Sequence, residues 1–311
     1  MASRIRDRTT ALPGANRPVA KTAGHWLLAS VGKTVLRPGG RETTQWVLDH
    51  IGIPGSTVVE FAPGLGITAR EILDRDPRRY VGVDSDVQAV TAVSALLPAG
   101  DHQVIEASAE HASLPAGCAD AVLGEAMLTM HTDRRKLEIM REAARLLRPG
   151  GVYAIHEMGL TPDDLSPGTK DEIRTALARS LRVNARPLTI PEWVALAEEA
   201  GFRITDIHRT PMALLDPRRM VADEGVLGTA RIIANVLRRP EVRRRVLAMR
   251  RVFTTRRDHL LRVGIILTRT ADSPSSRAKG EKIPCPTRPP LAVRSTGPTA
   301  SEPPPPGTPT P

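Results

Sequence analysis

Short apolar runs alternate with amphipathic stretches through most of this chain. Thr57–Ala62, Tyr80–Val83, Val104–Glu106, Ala121–Leu123, Val152–His156, Phe202–His208 and Val263–Thr268 have the length and β-branched content of strands. Between them, Thr68–Leu73, Val87–Leu96, Arg134–Leu147 and Pro191–Ala200 carry helical periodicity, the last stopped by Gly201. Strand and helix in alternation predict an α/β fold: a Rossmann-like, seven-stranded, mostly parallel sheet flanked by helices. The stretches 159–190 and 211–262 are helical in pattern and read as cap insertions on that sheet. Together with segment 25–50 they are expected to cover a pocket, with Trp26, Met158, Met212 and Met220 as candidate walls or core residues.

The ends lack this patterning. Residues 1–24 and 272–311 read as disordered, the latter a Pro-rich tail, which leaves one domain over 25–271. Composition changes the picture mainly through charge. The net charge is +10, but Arg4, Arg6, Arg8, Arg17 and Lys21 against Asp7 sit in the first 25 residues, and the last 39 residues are also basic. Between Arg231 and Arg262, eleven arginines face only Glu241 and Asp258, so the remainder of the folded part is acidic. Such a segment could hold RNA. Its arginines alternate with Ile232, Val236, Val242, Val246 and Val252, however, which is the pattern of a helix with a solvated basic face. Two cysteines, Cys118 and Cys285, support neither a disulfide framework nor a common zinc site. No apolar stretch reaches the length of a membrane span, and a cytoplasmic protein is expected. High Arg, Ala, Pro and Gly usage suits a GC-rich bacterial genome.

The chemistry concentrates at the end of the first strand. Glu60-Phe-Ala62-Pro-Gly64-Leu-Gly66-Ile-Thr-Ala69 joins that strand to a helix and fits the G-x-G-x-x-G/A pattern. Glycines there let the backbone approach a ligand, and the helix start offers free N–H groups. Asp84, closing the second strand, suits a ribose diol. These features serve a nicotinamide dinucleotide and S-adenosylmethionine equally.

The longer series separates the two. The glycine loop resembles motif I of the class I S-adenosylmethionine-dependent methyltransferases, and Asp84 resembles their ribose-binding acid. Ala107-Ser108-Ala109-Glu110 with Leu114-Pro115 resembles their adenine stretch, and Ala119-Asp120-Ala121-Val122-Leu123 their fourth strand. Leu146-Leu147-Arg148-Pro149-Gly150-Gly151 and Glu198-Glu-Ala-Gly201-Phe202 resemble the entries to the fifth and sixth strands. The likeness is to the small-molecule, type 11-like branch. It departs from many relatives at Ser108, where they carry Asp, and at Pro63. The resemblance implies S-adenosylmethionine as cofactor, with Glu60, Ala62, Gly64 and Gly66 at its methionine end, Asp84 and Ser85 at ribose, and Ser108, Ala109 and Glu110 at adenine. It implies a small-molecule acceptor attacked through O, N or C. His, Asp and Glu do not cluster at ligand spacings, so no metal is expected. Strand ends line the crevice in such sheets, so Glu125, His131 and His156 are the candidate catalytic residues, His156 as a base. Nucleic-acid signatures of two kinds are absent: no Asn-Pro-Pro-Tyr-like tetrapeptide and no Pro-Cys nucleophile. An RNA-modifying enzyme using 231–262 is the alternative. A dehydrogenase, or a binding protein without turnover, fits the series less well.

Overall fold

The computed structural model describes residues 18–37, 40–212 and 215–270. The expected terminal tails otherwise lie outside the described residues.

The sheet is built in chain order from β1 (Thr57–Phe61), β2 (Arg79–Asp84), β3 (Gln103–Glu106), β4 (Ala119–Glu125), β5 (Leu147–Leu160), β6 (Leu188–Thr189), β7 (Phe202–Pro211) and β8 (Leu260–Arg269). Its spatial order is β3-β2-β1-β4-β5-β8-β7, with β6 paired to the end of β5. Strands β1 to β5 run parallel, whereas β8 is antiparallel to both β5 and β7. The order reverses between β1 and β4, and there the carboxyl ends of two neighbouring strands part to leave a crevice.

Nine helices are described: α1 (Gly24–Ser30), α2 (Gly40–Asp49), α3 (Ile67–Leu73), α4 (Val87–Ser94), α5 (Asp133–Leu146), α6 (Pro167–Leu181), α7 (Ile190–Glu199), α8 (Pro217–Leu237) and α9 (Pro240–Thr255). Several start where a side chain takes orphan N–H groups: Asp86 caps α4, Thr132 caps α5, and Thr189 with Glu192 forms a capping box on α7. The central strands are buried on both faces. Val59, Phe61, Val81 and Val83 pack on one side with residues of α5 and α7. Val58, Tyr80, Leu123 and Ala154 pack on the other with residues of α2, α3 and α4. Consecutive residues of β1 therefore feed opposite cores, as the twofold strand period requires.

The expected seven-strand path is present, and an eighth strand joins it, because β5 runs past His156 to Leu160 and its overhang captures the two-residue β6. The additions to the sheet differ from expectation. The cap insertion expected over 159–190 is therefore helical only in α6, and that over 211–262 gives its ends to β7 and β8. The latter is two helices, with non-helical Gly225 kinking α8. Residues 18–23, assigned to the N-terminal arm, are held to the domain. Arg245 of α9 donates to the carbonyls of Val19 and Thr22 at 2.5 and 2.6 Å.

The helical additions make their own apolar layers. Leu27, Leu28 and Val31 of α1 pack with Ile232, Val242 and Met249, and Met158, Leu160, Ile173, Leu177, Met212 and Phe253 form a second cluster. Met158 and Met212 are core residues there, and Met220 packs beside the first cluster.

Candidate active site

β1 ends in the glycine loop, whose backbone is left-handed at Ala62 (φ 53°), Gly64 (φ 56°) and Gly66 (φ 73°). The two glycines differ in purpose. A side chain on Gly64 would meet nothing closer than 3.9 Å, so its bare α-carbon leaves the loop open to a ligand. One on Gly66 would strike Leu96 at 2.5 Å and Val93 at 3.2 Å, so this glycine lets the loop seat against α4. Gly66 accordingly does not line the crevice. The others expected at the cofactor do: Glu60, Ala62, Gly64, Asp84, Ser85, Ser108, Ala109 and Glu110 surround a cavity of about 310 Å³.

Asp84 closes β2 with its carboxylate turned to the loop. Its Oδ2 accepts from Gly64 N at 3.1 Å and its Oδ1 from Asp86 N at 3.0 Å. Burial raises its pKa, against those hydrogen bonds. Glu60 is 3% exposed and accepts the Tyr80 hydroxyl at 2.6 Å. Burial pushes its carboxyl up to about 8; the Tyr80 bond opposes this, while neighbouring Glu125 adds to it. At the far end, Glu110 pairs with Arg135 at 2.6 Å. His131 lines the cavity beside that pair, on the adenine side of the expected cofactor, and burial with Arg135 lowers its pKa.

Glu125 is the centre of the inner end. It closes β4 and accepts from Thr44 Oγ1 at 2.6 Å, Thr68 Oγ1 at 2.5 Å, His156 Nδ1 at 2.7 Å and Arg37 Nη1 at 3.3 Å. Burial would raise its carboxyl, but the charge of Arg37 and the bonds from His156 and Thr44 overcome this and hold it at about 2. His156 is wholly buried behind Glu125 and absent from the cavity wall. Burial holds its imidazole below the usual value, against the pull of Glu125. That position suits orienting Glu125 better than reaching an acceptor. The next residue, Glu157, accepts the backbone N–H groups of Met127, Leu128 and Thr129 and the Thr129 hydroxyl, and so anchors the turn after β4.

Several residues of the site had no sequence signal. Arg37 reaches the crevice from the connection between α1 and α2, donating to Thr68 and Glu125 and lying 3.6 Å from Glu71. Its Nε and Nη2 are buried without a hydrogen-bond partner among the described residues. Thr44 enters from α2 and Thr68 from the start of α3. His25 of α1 lines the cavity too, beside Trp26, which was expected as a candidate wall. No contiguous spacing connects these positions with the strand ends they meet.

The family profile "Methyltransferase domain" matches residues 59–155, which run from the first strand into the fifth. An uncharacterised protein of Haemophilus influenzae is 33% identical over 220 residues, spanning 69% of this chain and 86% of the relative. The crystal structure of MccD protein superposes with a TM-score of 0.60 at 19% identity, covering 75% of this chain and 99% of that one. Haemonchus contortus phosphoethanolamine N-methyltransferase 2, solved with phosphomonomethylethanolamine and S-adenosylhomocysteine, superposes with a TM-score of 0.60 at 14% identity, covering 80% and 57%. The described residues also contain no helix long and apolar enough to cross a membrane. Strand order, glycine loop, the acid closing β2 and these likenesses agree: the chain belongs to the class I S-adenosylmethionine-dependent methyltransferases, with S-adenosylmethionine as its cofactor.

Proposed function

We propose that this enzyme transfers a methyl group to a small-molecule acceptor at O, N or C. The observation that carries the reading is the lining of the cavity. His25, Trp26, Leu36 and Arg37 line it from the cap, and none of the arginines between 231 and 262 does. Several of those arginines serve the fold instead. Arg245 ties α9 to residues 19, 22 and 180, Arg262 bonds Thr210, and Arg239 bonds the Ser30 carbonyl. A basic track leading into the site, which an RNA substrate would use, has no support in these contacts.

The cavity fits the cofactor chemically. Asp84 and Ser85 take the ribose, and Ser108, Ala109 and Glu110 flank the base. Glu60 lies where a cationic methionine end is best compensated. The Nε of Arg37, and its Nη2, which has Glu71 only at ion-pair distance, suit the carboxylate at that end. When bound, S-adenosylmethionine supplies an electrophilic methyl carbon. The chain's own residues align the acceptor, exclude water and receive any proton released. Glu125 holds Arg37 and Thr68 in place, and His156 positions Glu125.

Calorimetric titration with S-adenosylmethionine, S-adenosylhomocysteine and NAD(H), on wild type and Asp84→Ala, tests the site. Both adenosyl ligands should bind, weakened at least about tenfold in the variant as the ribose contacts disappear. Incubation with radiolabelled cofactor and separated small-molecule and RNA fractions then tests the acceptor. Label in the RNA fraction alone would overturn the proposal.

A further inference from the structure

A second chamber of about 60 Å³ adjoins the cofactor cavity and shares His25, Leu36, Ala126 and Met130 with it. It lies between the sheet end and the cap. Leu28 of α1, Leu181 of α6 and Phe253 of α9 line it against Met158 of β5. Its polar groups are almost all committed. The Glu157 carboxylate is fully engaged by the turn after β4, and the Thr129 hydroxyl donates to it. No lysine or arginine lines the chamber. His25 is the exception: among the described residues its imidazole has a ring neighbour in Trp26, at 4.7 Å between centroids, and no hydrogen-bond partner. It is also the one titratable side chain that lines both spaces.

We infer that this chamber receives the acceptor, a compact and uncharged, largely apolar molecule bearing one X–H group, and that His25 takes the proton of that group. The assignment rests on the methyl-transfer reading above and adds the acceptor's class to it. The absence of a free cation from the lining excludes carboxylate or phosphate anchors in the chamber. Burial keeps the imidazole down at about 4, so it is neutral and able to accept a hydrogen bond at physiological pH. The step balances as follows. The X–CH3 bond forms while the methyl–sulfur bond breaks with its electron pair kept by sulfur, and the X–H proton passes to the imidazole. The site loses one positive charge at sulfur and gains one at His25, so an imidazolium that is costly in the resting cavity replaces a cation already compensated there. The position of His25 is held by Arg245, which joins Val19, Thr22 and Ser180 through their carbonyls and so fixes α1 between α9 and α6.

Fluorine NMR titration at neutral pH, with and without saturating S-adenosylhomocysteine, tests this on the full chain. The probes match a chamber of about 60 Å³: trifluoroethanol, trifluoroethane and trifluoroacetate. The alcohol should bind, the carboxylate should not, and His25→Phe should weaken the alcohol about tenfold to the level of trifluoroethane, the loss expected for one hydrogen bond. An unchanged circular dichroism spectrum and a cooperative thermal melt report that the variant folds. Should His25→Phe fail to fold, the imidazole nitrogen resonances of the wild type carry the test, and His25 must shift as the alcohol binds. Alcohol affinity indifferent to His25→Phe, an unmoved His25 resonance, or trifluoroacetate binding as tightly as the alcohol would each overturn the inference. Loss of S-adenosylhomocysteine binding in the wild type with an intact, His25-dependent alcohol titration would strike the cofactor reading and leave the chamber assignment standing.

Discussion

Placing Glu60 at the cofactor's methionine end, as proposed, makes cofactor binding a proton-linked event. Its carboxyl is buried and held at about 8 against an ordinary 4.5. A raised carboxyl pKa means that the ligand-free fold keeps a proton which the unfolded chain releases. The associated stability is complete below about pH 4.5 and is lost as pH rises toward 8. Between pH 6 and 7.5 that loss is roughly 2 kcal/mol. S-adenosylmethionine carries one net positive charge and should draw the carboxylate form, expelling the proton. If Glu60 is fully ionised in the complex, the same linkage tightens binding roughly twentyfold from pH 6 to 7.5. The window stops there because the ligand's own amino group titrates close to pH 8. S-adenosylhomocysteine lacks the sulfonium and should show a shallower slope. Calorimetry in buffers of different ionisation enthalpy reads the released proton directly. Glu60→Gln stays neutral and keeps an oxygen for the Tyr80 hydroxyl, so both its stability and its affinity should be flat across the window. A wild-type dissociation constant that does not change between pH 6 and 7.5, or an equal slope in Glu60→Gln, would refute the reasoning.

Other perturbations separate the parts of the site. Gly66→Ala forces a left-handed residue at φ 73° and drives a β-carbon into Leu96; it should cost about 1–3 kcal/mol, read as a lowered Tm, with weaker cofactor binding as the loop lifts from α4. Glu125→Ala leaves Arg37 buried with only the more distant Glu71, and chemical denaturation should show a loss of about 3 kcal/mol. In the wild type the Glu125 carboxyl is depressed to about 2, so its contribution is present above about pH 4.5 and fades as pH falls toward 2; that acid limb should vanish in the variant. Arg37→Lys keeps a charge beside Glu125 but removes the forked Nε and Nη2 donors, so S-adenosylhomocysteine should bind about tenfold more weakly by calorimetry while Tm changes little. Unchanged affinity would confine Arg37 to holding Glu125.

That the residues expected at the cofactor would come together around one cavity was legible because their determinants are local. Glycine loop, strand-end acid and adenine stretch each sit at a fixed distance from a strand, and parallel pairing of β1, β2 and β3 brings their ends together without further information. Local signals also misled. Gly66 has the spelling of a ligand contact but meets Val93 of α4 and Leu96 just beyond it. His156 sits at a strand end, yet the residue alternation of β5 directs it into the layer behind Glu125. His131 follows a strand that lines the crevice, but the 3₁₀ turn over Leu128–Met130 carries it to the Glu110–Arg135 pair. The two-residue β6 exists only because β5 overruns, and no periodicity can announce a strand of that length.

The inner half of the cavity depends on contacts that no spacing encodes. Arg37 and Glu125 are 88 residues apart, and His25 and Phe253 line one chamber from opposite ends of the domain. What positions them is the packing of α1 on α6 and α9, which depends on apolar residues such as Leu28, Leu181 and Met249 rather than on any chemical motif. This division has a consequence for how such enzymes diverge. The sheet must keep Asp84 and the glycine loop in register to hold a constant cofactor, so substitution there affects every acceptor alike. The cap presents no such demand. Changing Phe253, which lies outside that packing, alters the volume of the acceptor chamber while leaving the strand ends in place, so acceptor choice can change without disturbing the cofactor residues they carry.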